Sequence, residues 1–204
     1  MKIFGAVIVA LILLVVVAGF WIWSGRGGLI DRSQGVDEKW AQVQNVYQRR
    51  FDLVPNLVAG VDNFMQRQQE TLTDVISMRQ RVIDLKGQAQ SALDSQNPLL
   101  LDSLAGALSR QLNSFINVVV ERYPDIKGDQ LYSDLMTQLE GTENRIAQER
   151  RAYNEVVREY NVYRQRGIKA LIAGSIFGFP YEKTFFAAQP EAQTAPSVKD
   201  AFDN

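Results

Sequence analysis

The stretch IFGAVIVALILLVVVAGFWIW, residues Ile3–Trp23, is the longest uncharged run in this chain. As a helix, its twenty-one residues would span about 30 Å, the thickness of the hydrocarbon core of a bilayer. A helix pairs its own backbone polar groups, so lipid can surround it. Aromatic rings favour the membrane–water interface, and the run ends in several. The sequence therefore predicts a transmembrane anchor over residues 1–24, with lipid-facing side chains at Phe4, Leu11, Leu14, Phe20, Trp21 and Trp23.

A cleaved secretory signal is the alternative interpretation of this run. Lys2 precedes it, and small residues around Ala18 offer a cleavage site. The run is longer than the core of a typical signal, about 7–15 residues, and it continues through the aromatic residues, which favours retention. Either form implies export. We therefore expect a single-pass protein of the bacterial inner membrane whose body lies on the periplasmic, extracytoplasmic side.

The composition narrows the chemistry that the body can perform. The 204 residues include no Cys and no His, which excludes disulfides, thiolate or imidazole zinc sites and His-dependent nucleophiles. The formal net charge of −1 gives no overall field that would attract nucleic acid. Glycine-rich phosphate loops and nucleophile-elbow motifs are missing as well. The sequence predicts a non-enzymatic protein with no cofactor, no metal and no nucleic-acid partner.

The region after the anchor changes from glycine-rich to helical in pattern. Residues 25–35 contain Gly25, Gly27, Gly28 and Gly35, which predicts a short linker or hinge. From Val36 the apolar residues recur at steps of three and four, as on one face of a helix. One amphipathic helix is predicted over about 36–86, with a kink at Pro55, because proline cannot donate the helical hydrogen bond. Its stripe is Val36, Trp40, Val43, Tyr47, Val54, Leu57, Val61, Phe64, Leu72, Val75 and Val82.

Two further helices follow. A loop is predicted around Gln88–Gln96, and Asn97–Pro98 has the pattern of an N-cap followed by proline in the first turn. The second helix is predicted over 98–122 and the third over 126–166, each with one apolar stripe. Long helices joined by short connections pack most readily as an antiparallel bundle. The predicted fold is all-α: a transmembrane helix followed by an elongated antiparallel bundle of three to four long helices, residues 36–179.

The C-terminal part is apolar and aromatic before it becomes polar. In residues 167–179, Gly174 and Gly178 are expected to interrupt any regular helix. Two roles are open for this part: a cap on the bundle, or an apolar anchor for another subunit or partner. Residues 180–204 are predicted to be an aromatic-containing, partly disordered tail. The candidate interface residues are Phe177, Phe179, Phe185 and Phe186.

Four stretches are more specific than a generic amphipathic helix. They are VQNVYQRRFDLVPNLV at 43–58, YPDIK at 123–127, LEGTENRIAQERRAYNEVVREYN at 139–161 and IAGSIFGF at 172–179. With them, nearly the whole chain resembles the LemA family. The resemblance implies a membrane-attached bundle of long helices, with no established enzymatic activity and a body outside the cytoplasm. By analogy with a related branch, it also implies a role in organising or shaping membranes.

The signature residues carried by these stretches are polar or aromatic: Tyr47, Arg49, Arg50, Pro55, Asn56, Glu140, Asn144, Arg145, Tyr153, Asn154, Tyr160 and Asn161. We expect polar groups of the third helix to pair with those of the first and to fix the register between the helices. A divalent-cation site on Glu140 and Glu149 is the alternative, and the interleaved arginines oppose it.

These observations predict a membrane-tethered helical scaffold. It would act at the membrane, form homo-oligomers through incompletely covered stripes and present a surface to other envelope proteins. The alternative is an adaptor that positions or regulates another membrane protein.

Overall fold

The structure is a computed structural model, and it describes residues 2–67 and 73–187, without the side chains of residues 2, 3, 73 and 74. Five α-helices occur in these residues: α1 (Lys2–Arg67), α2 (Thr73–Asp94), α3 (Pro98–Arg122), α4 (Gln130–Arg166) and α5 (Ile168–Ile176). A 3-10 helix at Pro124–Gly128 separates α3 from α4. No strand is found in the described part of the chain. The all-α prediction, with its long apolar N-terminal helix, is confirmed.

The helices form two compact units. Unit 1 comprises Met1–Asp52 and Thr137–Thr184, and unit 2 comprises Leu53–Met136 and Phe185–Asn204. Both α1 and α4 therefore contribute to each unit.

In unit 1, α1 and α4 run antiparallel. The Trp40 ring lies 5.4 Å from that of Tyr153, and Arg50 Nη2 lies 3.4 Å from Glu143 Oε1. The partner on α4 moves towards its N-terminus as the position on α1 advances. The predicted stripe of α1 supplies the core here, since Val36, Trp40, Val43 and Tyr47 are all buried.

In unit 2, the chain reverses direction between α1 and α2. Arg79 Nη2 lies 3.0 Å from Asp62 Oδ2. In one continuous helix these residues, 17 positions apart, would be separated by about 25 Å. The prediction of a single helix over 36–86 is therefore wrong: two antiparallel helices replace it, and the apolar stripe of each is buried, at Val54 and Val61 in α1 and at Val75 and Val82 in α2. Leu72, predicted to continue the stripe, lies outside the described residues.

Several predicted boundaries change for local reasons. The predicted loop over 88–96 is mostly helix, since α2 continues to Asp94 and only a short turn remains. The start of α3 is as predicted: the Asn97 side chain accepts a 3.0 Å hydrogen bond from the Leu100 N–H, with Pro98 in the first turn. The third long helix begins at Gln130 instead of 126, after the 3-10 helix. Asp129 precedes it, accepting a 3.2 Å bond from the Tyr132 N–H at its carboxylate and a 3.0 Å bond from the Ser133 N–H at its carbonyl.

The predicted linker at residues 25–35 is helical. It belongs to α1, which continues without interruption from the apolar run into the buried part of unit 1 and then through Pro55. The glycine-based prediction of a hinge is wrong in its local conformation, because glycine weakens a helix only modestly when tertiary contacts hold it. The kink at Pro55 and the proposed domain division remain predictions.

Residues 168–176 are helical too, although glycines were expected to break them. Gly174 lies inside α5, whereas Gly178 follows it with a φ of 73°. The Phe179 N–H donates to the Gly174 carbonyl at 2.9 Å. This is a Schellman ending, in which glycine is favoured because L side chains avoid positive φ.

Candidate membrane-interface site

The apolar part of α1 exposes its side chains along its whole length. This helix is long and apolar enough to cross a membrane, and none of its most apolar window is buried in the protein. All six predicted anchor residues are exposed: Phe4, Leu11, Leu14, Phe20, Trp21 and Trp23. A contiguous apolar surface of this size is unfavourable in water, and a bilayer would cover it.

A cluster of aromatic and cationic side chains stands at the end of the apolar run. The ring of Trp23 meets Phe177 edge-on, with centroids 6.3 Å apart. The guanidinium of Arg26 lies 5.3 Å from the Trp23 centroid and 5.1 Å from that of Phe177. Lys169 Nζ lies 5.8 Å from the Trp21 ring. Rings beside cations at the end of an apolar helix are typical of a membrane–water interface.

Two glycines of the predicted linker allow this cluster to form. A Cβ added to Gly25 would lie 2.8 Å from Lys169 Cγ and 3.0 Å from its carbonyl oxygen. A Cβ on Gly28 would lie 2.7 Å from Cζ of Tyr163. A Cβ added to Gly27, in contrast, would have no neighbouring atom within 4 Å. The absence of a side chain at Gly25 therefore lets α5 approach α1 closely, as in other helix pairs with small contact residues, and its absence at Gly28 leaves room for the Tyr163 ring.

The two faces of α5 have an unusual composition. Its buried side consists of small residues, Ala170, Ala173 and Gly174. Its other side carries large apolar residues that are exposed: Ile168, Leu171, Ile172 and Ile176. A helix of a water-soluble protein normally places such residues inward.

An extended segment, residues 180–184, follows α5 and is attached to α4 by side chains. Tyr160 Oη donates to the Pro180 carbonyl at 2.6 Å, and Tyr153 Oη donates to the Thr184 carbonyl at 3.3 Å. Asn161 forms two bonds to the backbone of Lys183: its amide donates to the carbonyl at 2.9 Å, and its oxygen accepts from the N–H at 2.8 Å. Residues 180–184, here called the C-terminal strap, are therefore held by the fold, whereas the sequence suggested partial disorder for 180–204. Residues 188–204 lie outside the described part.

Electrostatics reinforce the strap. Lys183 Nζ lies 3.3 Å from Asp37 Oδ1 and 5.4 Å from the Tyr160 ring. Burial, with the nearby Asp37 carboxylate, raises the pKa of Tyr153 to about 12. Burial raises the pKa of Tyr160 as well. Both hydroxyls stay protonated at neutral pH, so both remain hydrogen-bond donors to the strap.

A buried arginine joins α4, α5 and the strap. Arg164 Nη1 donates to the Leu171 carbonyl at 3.1 Å, and its guanidinium lies 5.5 Å from the Tyr181 ring. It also lies against Gly174, where a Cβ would collide with it. A planar, always charged guanidinium suits this combination of carbonyl and ring contacts. Sequence reasoning gave Arg164 no role.

The signature residues fall into three groups by exposure. Tyr47, Arg50, Tyr153, Tyr160 and Asn161 are buried. Pro55 and Asn154 are half-buried, and the remaining five are exposed: Arg49, Asn56, Glu140, Asn144 and Arg145. The Arg50–Glu143 ion pair links α1 to α4. It is the kind of pairing between helices that the register hypothesis expects, although Glu143 was not among the predicted residues. Three of the buried ones hold the strap, a role that the repeating sequence pattern did not indicate.

The four predicted interface phenylalanines lie in different environments. Phe177 is partly exposed beside Trp23, and Phe179 and Phe185 are half-buried. Phe186 is buried, 2% exposed, because the protein's own fold covers it. Within the described residues, no group of three or more Asp and Glu side chains is arranged to hold a metal ion.

Comparison with known proteins gives two matches. A family model described as the LemA family matches residues 39–199, most of this chain. Protein LemA of Metamycoplasma hominis is 25% identical over 145 residues, which are 70% of this chain and 61% of that protein. The chain thus spans less than two thirds of the length of this curated relative.

Proposed function

This chain belongs to the LemA family, and from that premise we propose that it is a membrane-anchored, non-enzymatic helical scaffold of the bacterial cell envelope. In this proposal the apolar part of α1 crosses the inner membrane once. The body stands on the periplasmic side, assembles with further copies and organises the membrane around it.

The observation that carries the proposal is the continuity of α1. One helix runs from the exposed apolar segment into the core of unit 1, where Leu29 and Val36 are buried. Close contacts to α4 and α5 at Gly25 and Gly28 brace it just after the apolar run. A helix braced in this way holds unit 1 at a fixed height above the membrane, which suits a scaffold better than a flexible tether would.

Self-assembly is supported by apolar side chains that unit 2 leaves exposed. Ile76 and Ile83, seven residues apart and so on one face of α2, are each 63% exposed. Leu99 and Leu100 near the start of α3 are exposed as well. Apolar residues repeated along one helix face favour association with a second apolar surface.

Support for a non-enzymatic role comes from the sequence and the family. Without Cys or His, the side chains that most often serve as nucleophile and general base are absent from the chain. LemA is not a known enzyme family.

One observation favours the adaptor as a second candidate. A groove between α2 and α3 is lined by Met78, Phe115 and Val118 and carries Arg81 and Arg110 at its sides. Among the described residues, neither arginine has an ion-pair partner. An apolar floor with cationic sides fits an acidic amphipathic segment of another protein.

Three measurements test these proposals. Full-length protein should remain in the membrane fraction after alkaline carbonate extraction, and its body should be digested by protease added to spheroplasts. Light scattering in detergent should give a mass above that of one 23.0 kDa chain. The paired substitution Ile76→Ser and Ile83→Ser should lower that mass, whereas Ile168→Ser, an exposed isoleucine of unit 1, should leave it unchanged.

Specific outcomes would contradict each part. Mature protein that begins near Phe20 and occurs free of membranes would exclude the anchor. A strict monomer that crosslinks in cells to one different protein would replace the scaffold by the adaptor, and Arg81→Glu with Arg110→Glu should then abolish that crosslink.

A further inference from the structure

The exposed side of α5 is an apolar surface of unit 1 that the anchor does not explain. Ile168, Ile172 and Ile176 follow one another at steps of four, so they form a single stripe. Their exposed fractions are 71%, 37% and 61%, and Leu171 beside them is 39% exposed. The opposite, buried side contains only alanine and glycine next to α1 and Arg164.

This arrangement is costly in water. Burying large aliphatic side chains stabilises a protein in water, yet α5 leaves several of them uncovered while it buries small residues. The arrangement is the one expected of a helix whose large residues face lipid and whose small residues face protein.

The contacts of α5 show which part of the anchor its exposed side lies beside. Phe177, at the end of α5, contacts Trp23, and Lys169 contacts Ser24 and lies near Trp21. These three α1 residues mark the end of the apolar run, where the anchor leaves the hydrocarbon core. The stripe is therefore continuous with the interfacial end of the anchor.

The two positively charged side chains near α5 are of the kind expected at a membrane surface. Arg26 and Lys169 are the cations of this cluster, and both lie beside aromatic rings, with apolar stems that can remain at the level of the headgroups. Cations at this depth attract the phosphate groups of anionic lipids.

We propose that α5 is a second membrane contact, whose stripe of Ile168, Leu171, Ile172 and Ile176 inserts into the interfacial region of the same leaflet from which α1 emerges. The inference rests on the proposed anchor, because the anchor brings α5 to the bilayer. With two contacts, α1 and α5, unit 1 is fixed in orientation as well as in height, since a single helix can rotate about its own axis.

Single-cysteine labelling tests this proposal cleanly, because the chain contains no natural cysteine. Ile168→Cys and Ile176→Cys report on the stripe. Leu131→Cys and Asn144→Cys, exposed positions of α4 that are not part of the proposed assembly surface, are the controls. Leu14→Cys reports on the anchor itself. Each full-length variant carries a bimane label and is reconstituted in nanodiscs of phosphatidylcholine and phosphatidylglycerol.

The expected result has two parts. Labels at 168 and 176 should be quenched by lipids that carry a nitroxide close to the headgroup. Their quenching by aqueous iodide should be at least about threefold weaker than that of labels at 131 and 144, since the interfacial region excludes the ion.

Three results would overturn the proposal. If labels at 168 and 176 are as accessible to iodide as those at 131 and 144, the stripe faces water. If they are hidden from both quenchers, a second copy or another protein covers it. In either case a label at Leu14→Cys that is quenched by lipids carrying a nitroxide deep in the acyl chain leaves the anchor intact, so only the role of α5 fails. Iodide access at Leu14→Cys would remove the anchor and, with it, the contact made by α5.

Discussion

The side chain of Asn161 binds both polar groups of the Lys183 backbone, donating to the carbonyl at 2.9 Å and accepting from the N–H at 2.8 Å. An amide side chain offers a donor and an acceptor side by side, so it can pair with a peptide unit much as a neighbouring strand would. A buried side chain of α4 thereby fixes the C-terminal strap, and the strap lies directly after α5. The orientation of the proposed second membrane contact therefore depends on residues of α4.

Removing this pairing should loosen the strap. Asn161→Ala deletes both bonds, each worth about 1 kcal/mol, so the free energy of unfolding should fall by about 1–2 kcal/mol. Amide hydrogen exchange at Lys183 should accelerate more than exchange within α4. Asn144→Ala, an exposed asparagine of the same helix, is the control and should change stability by less than about 0.5 kcal/mol. Unaltered exchange at Lys183 would show that the strap is held by other contacts.

Gly25 and Gly27 should respond in opposite ways to alanine. Gly25→Ala places a methyl group against the Lys169 carbonyl and Ala173, so it should destabilise the protein by about 1–3 kcal/mol. Gly27→Ala meets open space within the same helix and should stabilise it by about 0.5–1 kcal/mol. Urea unfolding in detergent measures both. Equal effects at the two positions would favour the flexible linker that the sequence suggested.

High pH should destabilise the fold through Tyr153. Its folded-state pKa is about 12, above the ordinary value of 10.0. Below pH 10 the phenol is protonated in both states, so the hydrogen-bonded, neutral form is fully available. Between pH 10 and 12 the unfolded chain loses this proton first, and stability falls as the pH rises. Tyr153→Phe keeps the ring against Trp40 and should lose less stability over that interval than the wild type does. Parallel pH profiles for the two proteins would refute this role.

Low pH should act through Asp129. A hydrogen bond from the Tyr132 N–H, together with Arg67 at 2.5 Å, holds the pKa of this carboxyl below its ordinary 3.8. The carboxylate therefore stabilises the folded state above that value, and the contribution disappears as the pH falls through the lower, folded-state pKa. Asp129→Asn should be less stable than the wild type at pH 6, and the difference should shrink towards pH 2. Glu140→Gln, exposed on α4, serves as the control and should not reproduce this trend.

Helical periodicity made most of the elements predictable. Steps of three and four identified the buried side of α1, and the Asn97–Pro98 pair located the start of α3. These features are local, because an N-cap or an amphipathic stripe involves only residues within a few turns.

The predictions that were wrong about glycine have a common physical cause, because the effect of a glycine depends on its neighbours in space. In the sequence, a glycine that makes a linker flexible looks the same as a glycine that leaves room for a neighbouring side chain. For Gly25 and Gly28, only the positions of Lys169 and Tyr163 in the structure distinguish these two roles. A signal for α5 did exist in the sequence: isoleucines at 168, 172 and 176 alternate with small residues at 170, 173 and 174. It was obscured by the expectation that Gly174 breaks the helix.

Residue order was enough to predict that this protein is helical and that it contains a segment suited to lipid, because side-chain polarity and its period along the chain depend on nothing else. Tertiary structure alone decided which glycines are contact points, which tyrosines and asparagine hold the strap, and that α5 turns its large residues outward next to Trp23. Such features arise where helices that are far apart in sequence pack closely together. There, the space between the helices determines which side chain fits, and the pattern within either helix does not.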